Sequence, residues 1–369
     1  MGAALPFVGL GAGQKVTTLS AGNAFTCALL EEGTVKCWGR NSDGQLGLGD
    51  TANRGEGPGE MDDALPSVDL GTGRVAKALA TGLEHACALL DEGAVKCWGY
   101  NVDGQLGLGF QSNRGNTQGS MGDELPTVDL GTGRTATAIA AGRAHTCAIL
   151  DDGAVKCWGN NEYGQLGLGD KEDRGEGLGE MGDALPSVNL GAGRTATAIA
   201  AGNLHTCAIL DDGAVKCWGN NTNGRLGLGD KADRGDGPGE MGDALPSVDL
   251  GTGRTAKAIS LGYYYTCALL DDDTLKCWGF NDGILGLGDT KSRGESRGQM
   301  GESLPRVELG AGRTVKGVAA GSHAMCALLD DLWVKCWGTN RSGQLGLGDT
   351  KDRGGARREM GDDLPVVEL

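Results

Sequence analysis

The chain is short of aromatic residues, at 4% of its 369 positions, and has only four histidines, His85, His145, His205 and His323. It lacks any apolar run near the roughly 20 residues of a transmembrane helix. Met1-Gly2-Ala3-Ala4-Leu5-Pro6 lacks the charged and apolar regions of a signal peptide, which reads as a mature chain or a fragment of a longer precursor. Positive charge is in deficit, 33 Lys and Arg against 49 Asp and Glu, for a net −16. An acidic surface is a poor match for a phosphate backbone, so no nucleic-acid partner is expected. The same charge favours solubility and attracts cations or basic partners.

Glycine, with 69 residues, and cysteine, with 12, are abundant. The glycines recur at fixed places among apolar stretches, so they mark turns and not low complexity. The cysteines form six pairs with nine residues between partners: Cys27 with Cys37, Cys87 with Cys97, Cys147 with Cys157, Cys207 with Cys217, Cys267 with Cys277, and Cys326 with Cys336. His145 to Gly159 shows the pattern of two short strands around the turn Asp151-Asp152-Gly153. A three-residue loop with glycine at the left-handed position puts Leu150 opposite Ala154 and Cys147 opposite Cys157. Opposed Cα atoms lie roughly 4.5–5.5 Å apart, within the about 4.4–6.8 Å of a disulfide. Zinc sites place two to four residues between paired ligands, so cross-strand disulfides are favoured over metal. Twelve paired cysteines imply an oxidising compartment, periplasmic or, as expected here, extracellular or cell-surface.

The cysteine positions advance by 60 residues four times and then by 59, the deletion falling in Asn281-Asp282-Gly283-Ile284-Leu285. The repeats run approximately 16–74, 75–134, 135–194, 195–254, 255–313 and 314–369, with 1–15 a partial repeat. Each has a proline-led stretch such as Leu185–Leu190, a small-residue stretch such as Ala196–Ala201, and the two hairpin arms. Alternation and bounding glycines make all four strands, and four strands repeated radially are a β-propeller blade. The expected fold is all-β: a single propeller domain of four-stranded blades, six in number, or seven if terminal strands or a neighbour complete one.

The motifs Ala140-Ala141-Gly142, His145-Thr146-Cys147-Ala148-Ile149, Asp152-Gly153-Ala154-Val155, Trp158-Gly159-Asn160-Asn161 and Gly164-Gln165-Leu166-Gly167-Leu168-Gly169 resemble the regulator of chromosome condensation repeat family. The resemblance covers nearly the whole chain and implies a β-propeller, usually seven-bladed. Members include a nucleotide-exchange factor for a small GTPase and bacterial β-lactamase inhibitors. The insertion on which exchange depends is not recognisable here, and the cysteines depart from the family pattern. Fold alone does not carry function.

The proline-led stretch occurs seven times and the other three strands six times, so either Leu5–Leu10 or Leu364–Leu369 is left over. Such an edge offers strand addition to another copy. In the long loop of repeat four, Asp230, Asp233, Asp236, Glu240 and Asp243 are a candidate calcium set. The competing reading is a loop ordered by Arg234 pairing with carboxylates. Trp38, Trp98, Trp158, Trp218, Trp278 and Trp337 recur once per repeat and read as packing between blades. Trp333, following Leu332 where other copies have glycine, is a candidate exposed contact. His85, His145 and His205 share a position that Phe25 and Tyr265 fill elsewhere, which indicates a packing role. Asn220-Asn221-Thr222 and Asn340-Arg341-Ser342 fit the glycosylation pattern.

No asymmetric nucleophile–base–acid set stands out, so a non-enzyme is expected, with no cofactor beyond the candidate calcium. The first reading is an extracellular structural or binding scaffold, self-assembling through terminal strands into a fibre or array. The alternatives are a soluble protein-binding regulator or inhibitor using one face of the propeller, and a calcium-binding adhesion module. The partner is protein, copies of the chain itself included.

Overall fold

A computed structural model describes residues 6–368. The hairpin register is the one the cysteine spacing demands. Cys147 lies opposite Cys157 and Ile149 opposite Val155. The turn closes with Leu150 N–H donating to Ala154 O at 2.8 Å and Gly153 N–H to Leu150 O at 2.9 Å. Gly153 has φ +80°, the conformation that a side chain disfavours. Asp273 and Leu332 occupy this position in the last two repeats at φ +63° and +69°.

All six cysteine pairs are cross-strand disulfides. Cys27 is bonded to Cys37, Cys87 to Cys97 and Cys147 to Cys157. Cys207 is bonded to Cys217, Cys267 to Cys277 and Cys326 to Cys336. In each the Cα atoms are 4.1 Å apart, closer than the 4.5–5.5 Å (roughly) expected of opposed residues. The pairing is as the spacing predicts, and the strands are drawn together at each bridge.

Each repeat forms one antiparallel sheet with strands in sequence order, and the six sheets are blades of a β-propeller fold. Blade 1 comprises Val16–Ala21, Phe25–Leu30 and Val35–Gly39; blade 3 comprises Ala136–Ala141, His145–Leu150 and Val155–Gly159. Blade 6 comprises Val315–Ala320, Ala324–Leu329 and Val334–Gly338. The regular strands number three per blade, not the four expected. The proline-led stretch is reduced to one backbone bond, Val188 N–H to Val155 O at 2.7 Å in repeat three. Proline has no N–H to give, and the stretch is too short to make a second rung.

That bond decides which terminal stretch is spare. The proline-led stretch pairs with the hairpin preceding it in sequence, and Val367 N–H bonds Val334 O at 2.8 Å. Blade 6 is therefore completed by the C-terminal stretch, and the N-terminal one is left over. Leu5 and Leu369, the outer ends of these two stretches, lie outside the described residues.

The chain divides into two compact units of three blades each. One is Phe7–Asn189 with Asp236–Pro238, and the other is built on Leu190–Gly235 and Gly239–Leu369. Within each unit, blades stack face to face. Between blades 2 and 3, Leu89, Val95 and the bridge of Cys87 with Cys97 meet Ala148, Leu150, Trp158 and Leu185. Gly107 runs so close that a Cβ there would stand 2.7 Å from Trp158 Nε1. A lysine in each hairpin crosses to the long loop. Lys156 Nζ donates to Leu130 O at 3.0 Å and Gly182 O at 2.6 Å, and desolvation lowers its pKa. Its side chain is thereby a clamp between hairpin, proline-led stretch and loop.

Candidate binding face

The five carboxylates of the candidate calcium set do not assemble into a ligand cage; each serves its own partner. Asp230 takes a charged bond from Arg234 at 2.6 Å, and Asp233 accepts from Asn221 N–H at 2.7 Å. Asp236 pairs with Lys171 at 3.0 Å, Glu240 accepts from Gly235 N–H at 2.9 Å, and Asp243 from Ala192 N–H at 3.2 Å. Among the described residues no group of three or more His, Cys, Asp or Glu is placed to hold a metal. The loop is ordered by its arginine, as the Arg54–Asp50 and Arg174–Asp170 pairs repeat. Phe110 replaces the aspartate in repeat two, and Arg114 lies 4.4 Å over its ring instead.

The glycosylation pattern also fails in three dimensions. Asn220 and Asn340 are buried. Asn340 Nδ2 donates to Asp349 O at 2.9 Å and its Oδ1 accepts from Leu345 N–H at 2.9 Å. Asn41, Asn101, Asn161, Asn221 and Asn281 make the equivalent bonds, so these asparagines are loop anchors.

Trp98, Trp158, Trp278 and Trp337 pack between blades, whereas Trp38 is half-buried against Leu10, Ala28 and Leu30. Trp158 Nε1 donates to Gln105 O at 3.0 Å and Trp278 Nε1 to Arg225 O at 3.0 Å, each carbonyl belonging to the preceding blade's loop. The shared histidine position is buried too. His85 Nε2 lies 2.9 Å from Thr146 Oγ1, which donates onward to Gln105 O at 2.8 Å. Thr146 therefore accepts, His85 is the Nε2–H tautomer, and its Nδ1 meets no partner. Burial, with His145 nearby, pushes the His85 pKa down to about 3; burial takes His145 down to about 4. These neutral rings are packing elements and not acid–base groups. Trp333 is 48% exposed beside the exposed Leu332.

A site the sequence reading missed lies in the unit of repeats four to six. The loop at Tyr263-Tyr264 precedes the second strand of blade 5, Phe280 follows its third strand, and His323 precedes the second strand of blade 6. Their rings gather in one cluster. Tyr263 stacks on His323 at 6.0 Å, while Tyr264 meets Phe280 at 6.2 Å and Tyr263 at 5.7 Å edge-on. The buried Arg225 lies 5.0 Å over the Tyr264 ring and donates to Tyr263 O at 3.2 Å and Thr222 O at 3.0 Å. Tyr265 fixes the neighbouring blade from below, its hydroxyl donating to Gly321 O at 2.9 Å and Ala324 O at 3.1 Å. Tyr263, Tyr264 and Phe280 stay partly open and His323 is exposed.

The signal that marks this cluster is local divergence between near-identical repeats. Tyr263, Tyr264 and Phe280 stand where repeat four has Asn203, Leu204 and Asn220, and Arg225 stands where repeats one to three have glutamine. One of these positions is charged in each of repeats one and two, Arg40 and Glu84, and the two are paired at 3.0 Å. Rigid aromatics around an arginine form the chemistry enriched at protein-binding hot spots.

Comparison with known proteins bears on the whole chain. The family described as RCC1-like domain matches residues 12–360. The ultraviolet-B receptor UVR8 of Arabidopsis thaliana is 30% identical over 362 residues, 96% of this chain and 72% of that protein. The human E3 ubiquitin-protein ligase HERC2 is 28% identical over 91% of this chain, which spans only 6% of that protein. The structure of Prp20p from Saccharomyces cerevisiae, reported with its binding properties to Gsp1p and histones, superposes with a TM-score of 0.71 at 22% identity. The match covers 96% of this chain and 77% of that one.

Proposed function

The chain belongs to the family of RCC1-like domains, and from that premise we propose that it is a protein-binding regulator with no catalytic chemistry of its own. It engages its partner through Tyr263, Tyr264, Phe280 and His323, whose loop the buried Arg225 holds from within. The observation that carries this is the gathering of four rings and a guanidinium at positions where repeat four has Asn203, Leu204 and Asn220 and repeats one to three have glutamine in place of Arg225. Relatives of this family favour a binding regulator over the structural scaffold that composition suggested, and the net charge of −16 favours a basic partner. Six disulfides support action in an oxidising compartment.

The test replaces the cluster with residues that the protein itself uses at the same positions in repeat four: Tyr263→Asn, Tyr264→Leu and Phe280→Asn. Such a variant keeps the fold. Quantitative capture from the native source, against wild type and against Arg40→Ala as a control on the charged loops, should show at least a tenfold loss of a specific partner in the triple variant alone. Equal capture by all three proteins would remove the cluster from the binding face.

A further inference from the structure

Two clefts of one build lie in the unit of repeats four to six. Each is walled by the Gly-Leu-Gly turn of one repeat, by its proline-led stretch and by the long-loop tip of the next repeat. The first runs between Gly227-Leu228-Gly229, Pro246 and Arg297, and the second between Gly286-Leu287-Gly288, Pro305 and Arg357. They differ in size, about 210 Å³ against about 400 Å³. The larger cleft departs from the repeat at three positions at once. Arg306 and Glu308 stand where repeat four has Ser247 and Asp249, and Arg357 stands where repeats one to four have Pro58, Gln118, Leu178 and Pro238.

One methylene accounts for the added room. Asp69, Asp129 and Asp249 lay their carboxylates against the loop glycine of the next repeat, so that a Cβ on Gly122, Gly182 or Gly301 would stand 2.4, 2.4 or 2.3 Å from them. The same carboxylates cap the N–H of Gly71, Gly131 and Gly251 at 2.9, 2.9 and 3.0 Å. The longer Glu308 does neither. Its carboxylate is drawn to Arg306 Nε at 2.8 Å, and a Cβ on Gly361 would meet nothing within 4 Å. The backbone contact persists, Gly361 N–H to Glu308 O at 2.8 Å, so the side chain leaves the space and not a shifted loop. Two guanidiniums line what is vacated. Arg306 uses Nε on Glu308 and keeps both terminal nitrogens, and Arg357 is exposed with no acidic partner among the described residues. The tip that carries Arg357 is held by Glu359 Oε2, which accepts Ala356 N–H at 2.9 Å. Leu287 and the buried Met360 supply an apolar wall.

We propose that this cleft binds a small amphipathic anion, its carboxylate or phosphate group taken by Arg306 and Arg357 and its apolar body laid on Leu287, Pro305 and Met360. Guanidinium forks match both kinds of oxyanion. The volume lies within the roughly 300–1,000 Å³ of small-molecule sites. A polyanion is the wrong ligand, because the chain's net charge of −16 repels it, whereas a single anionic group meets two arginines against one glutamate. The site shares no residue with the aromatic cluster and stands or falls separately from the partner-binding proposal.

The experiment is a fluorine NMR titration of the full disulfide-bonded chain with para-fluorophenyl phosphate and with para-fluorobenzoate. Wild type should bind at least one of them saturably, and the tighter of the two names the head group. Arg306→Ser and Arg357→Gln, each the residue of another repeat, should weaken binding by about tenfold, the worth of one lost charge-assisted bond. Glu308→Asp is the sharper variant. It keeps the charge and both arginines but returns the carboxylate to Gly361, so binding should again fall by about tenfold. Arg297→Gln, in the smaller cleft, should leave the affinity unchanged, and thermal unfolding should show all four variants folded. No saturable binding of either probe to wild type, a Glu308→Asp variant that binds like wild type, or an equal loss in Arg297→Gln would overturn the proposal.

Discussion

Acid should destabilise this protein through its buried histidines, and His85→Phe should remove a measurable share of that loss. In the unfolded chain a histidine takes up a proton near pH 6.5. In the folded protein His85 does so only at about 3 and His145 at about 4, because burial disfavours the imidazolium. Between those values the unfolded state binds more protons, so stability falls as pH falls. The structure gives the reason: a proton added at Nδ1 of His85 would have no acceptor. From pH 7 to 4.5 each of these two histidines should cost about 2.5 kcal/mol. Phenylalanine fits the position, since Phe25 fills it in blade 1 and is buried there. At pH 7 the variant loses the bond to Thr146, about 1 kcal/mol. Urea unfolding at both pH values is the assay. The pH-dependent loss in His85→Phe should be smaller than in wild type by about 2.5 kcal/mol. Equal losses would refute the claim that His85 stays neutral in the folded protein.

Three further outcomes follow from the structure. Lys156→Met leaves Leu130 O without its Nζ donor and Gly182 O with Leu185 N–H alone, and should cost about 1–3 kcal/mol in urea unfolding, with the loop at Gly182 losing amide protection first. Removing one bridge as Cys147→Ala with Cys157→Ala releases a short closed loop and should cost about 3 kcal/mol, leaving the other five bonds intact by mass analysis. Leu332→Gly relieves a side chain held at φ +69° and should raise stability by about 1 kcal/mol in thermal unfolding.

The hairpin could be read from sequence because its information is local. Nine residues between cysteines and a glycine at one turn position specify a register, and the structure has that register in all six repeats. The tryptophan and histidine roles were also readable, since a residue that recurs with its strand repeats its environment. The carboxylates misled in the other direction. Five acids within fourteen positions look like a cation site, but each is met by a different donor that lies near in space or in the loop. The sequons misled because Asn220 and Asn340 are buried, Asn340 as a loop anchor and Asn220 beside the anchor Asn221, and a tripeptide pattern contains no burial.

The sequence by itself determined the repeat, the hairpin register, the disulfide pairing and the family, because all of these rest on spacing along the chain. Only the tertiary structure decided which hairpin owns each proline-led stretch, that Lys156 is a clamp, and that Tyr263, Phe280 and His323 meet although up to 60 residues apart. The physical reason is that these contacts join segments across blades and loops. Stacking geometry sets them, and no period in the chain encodes it.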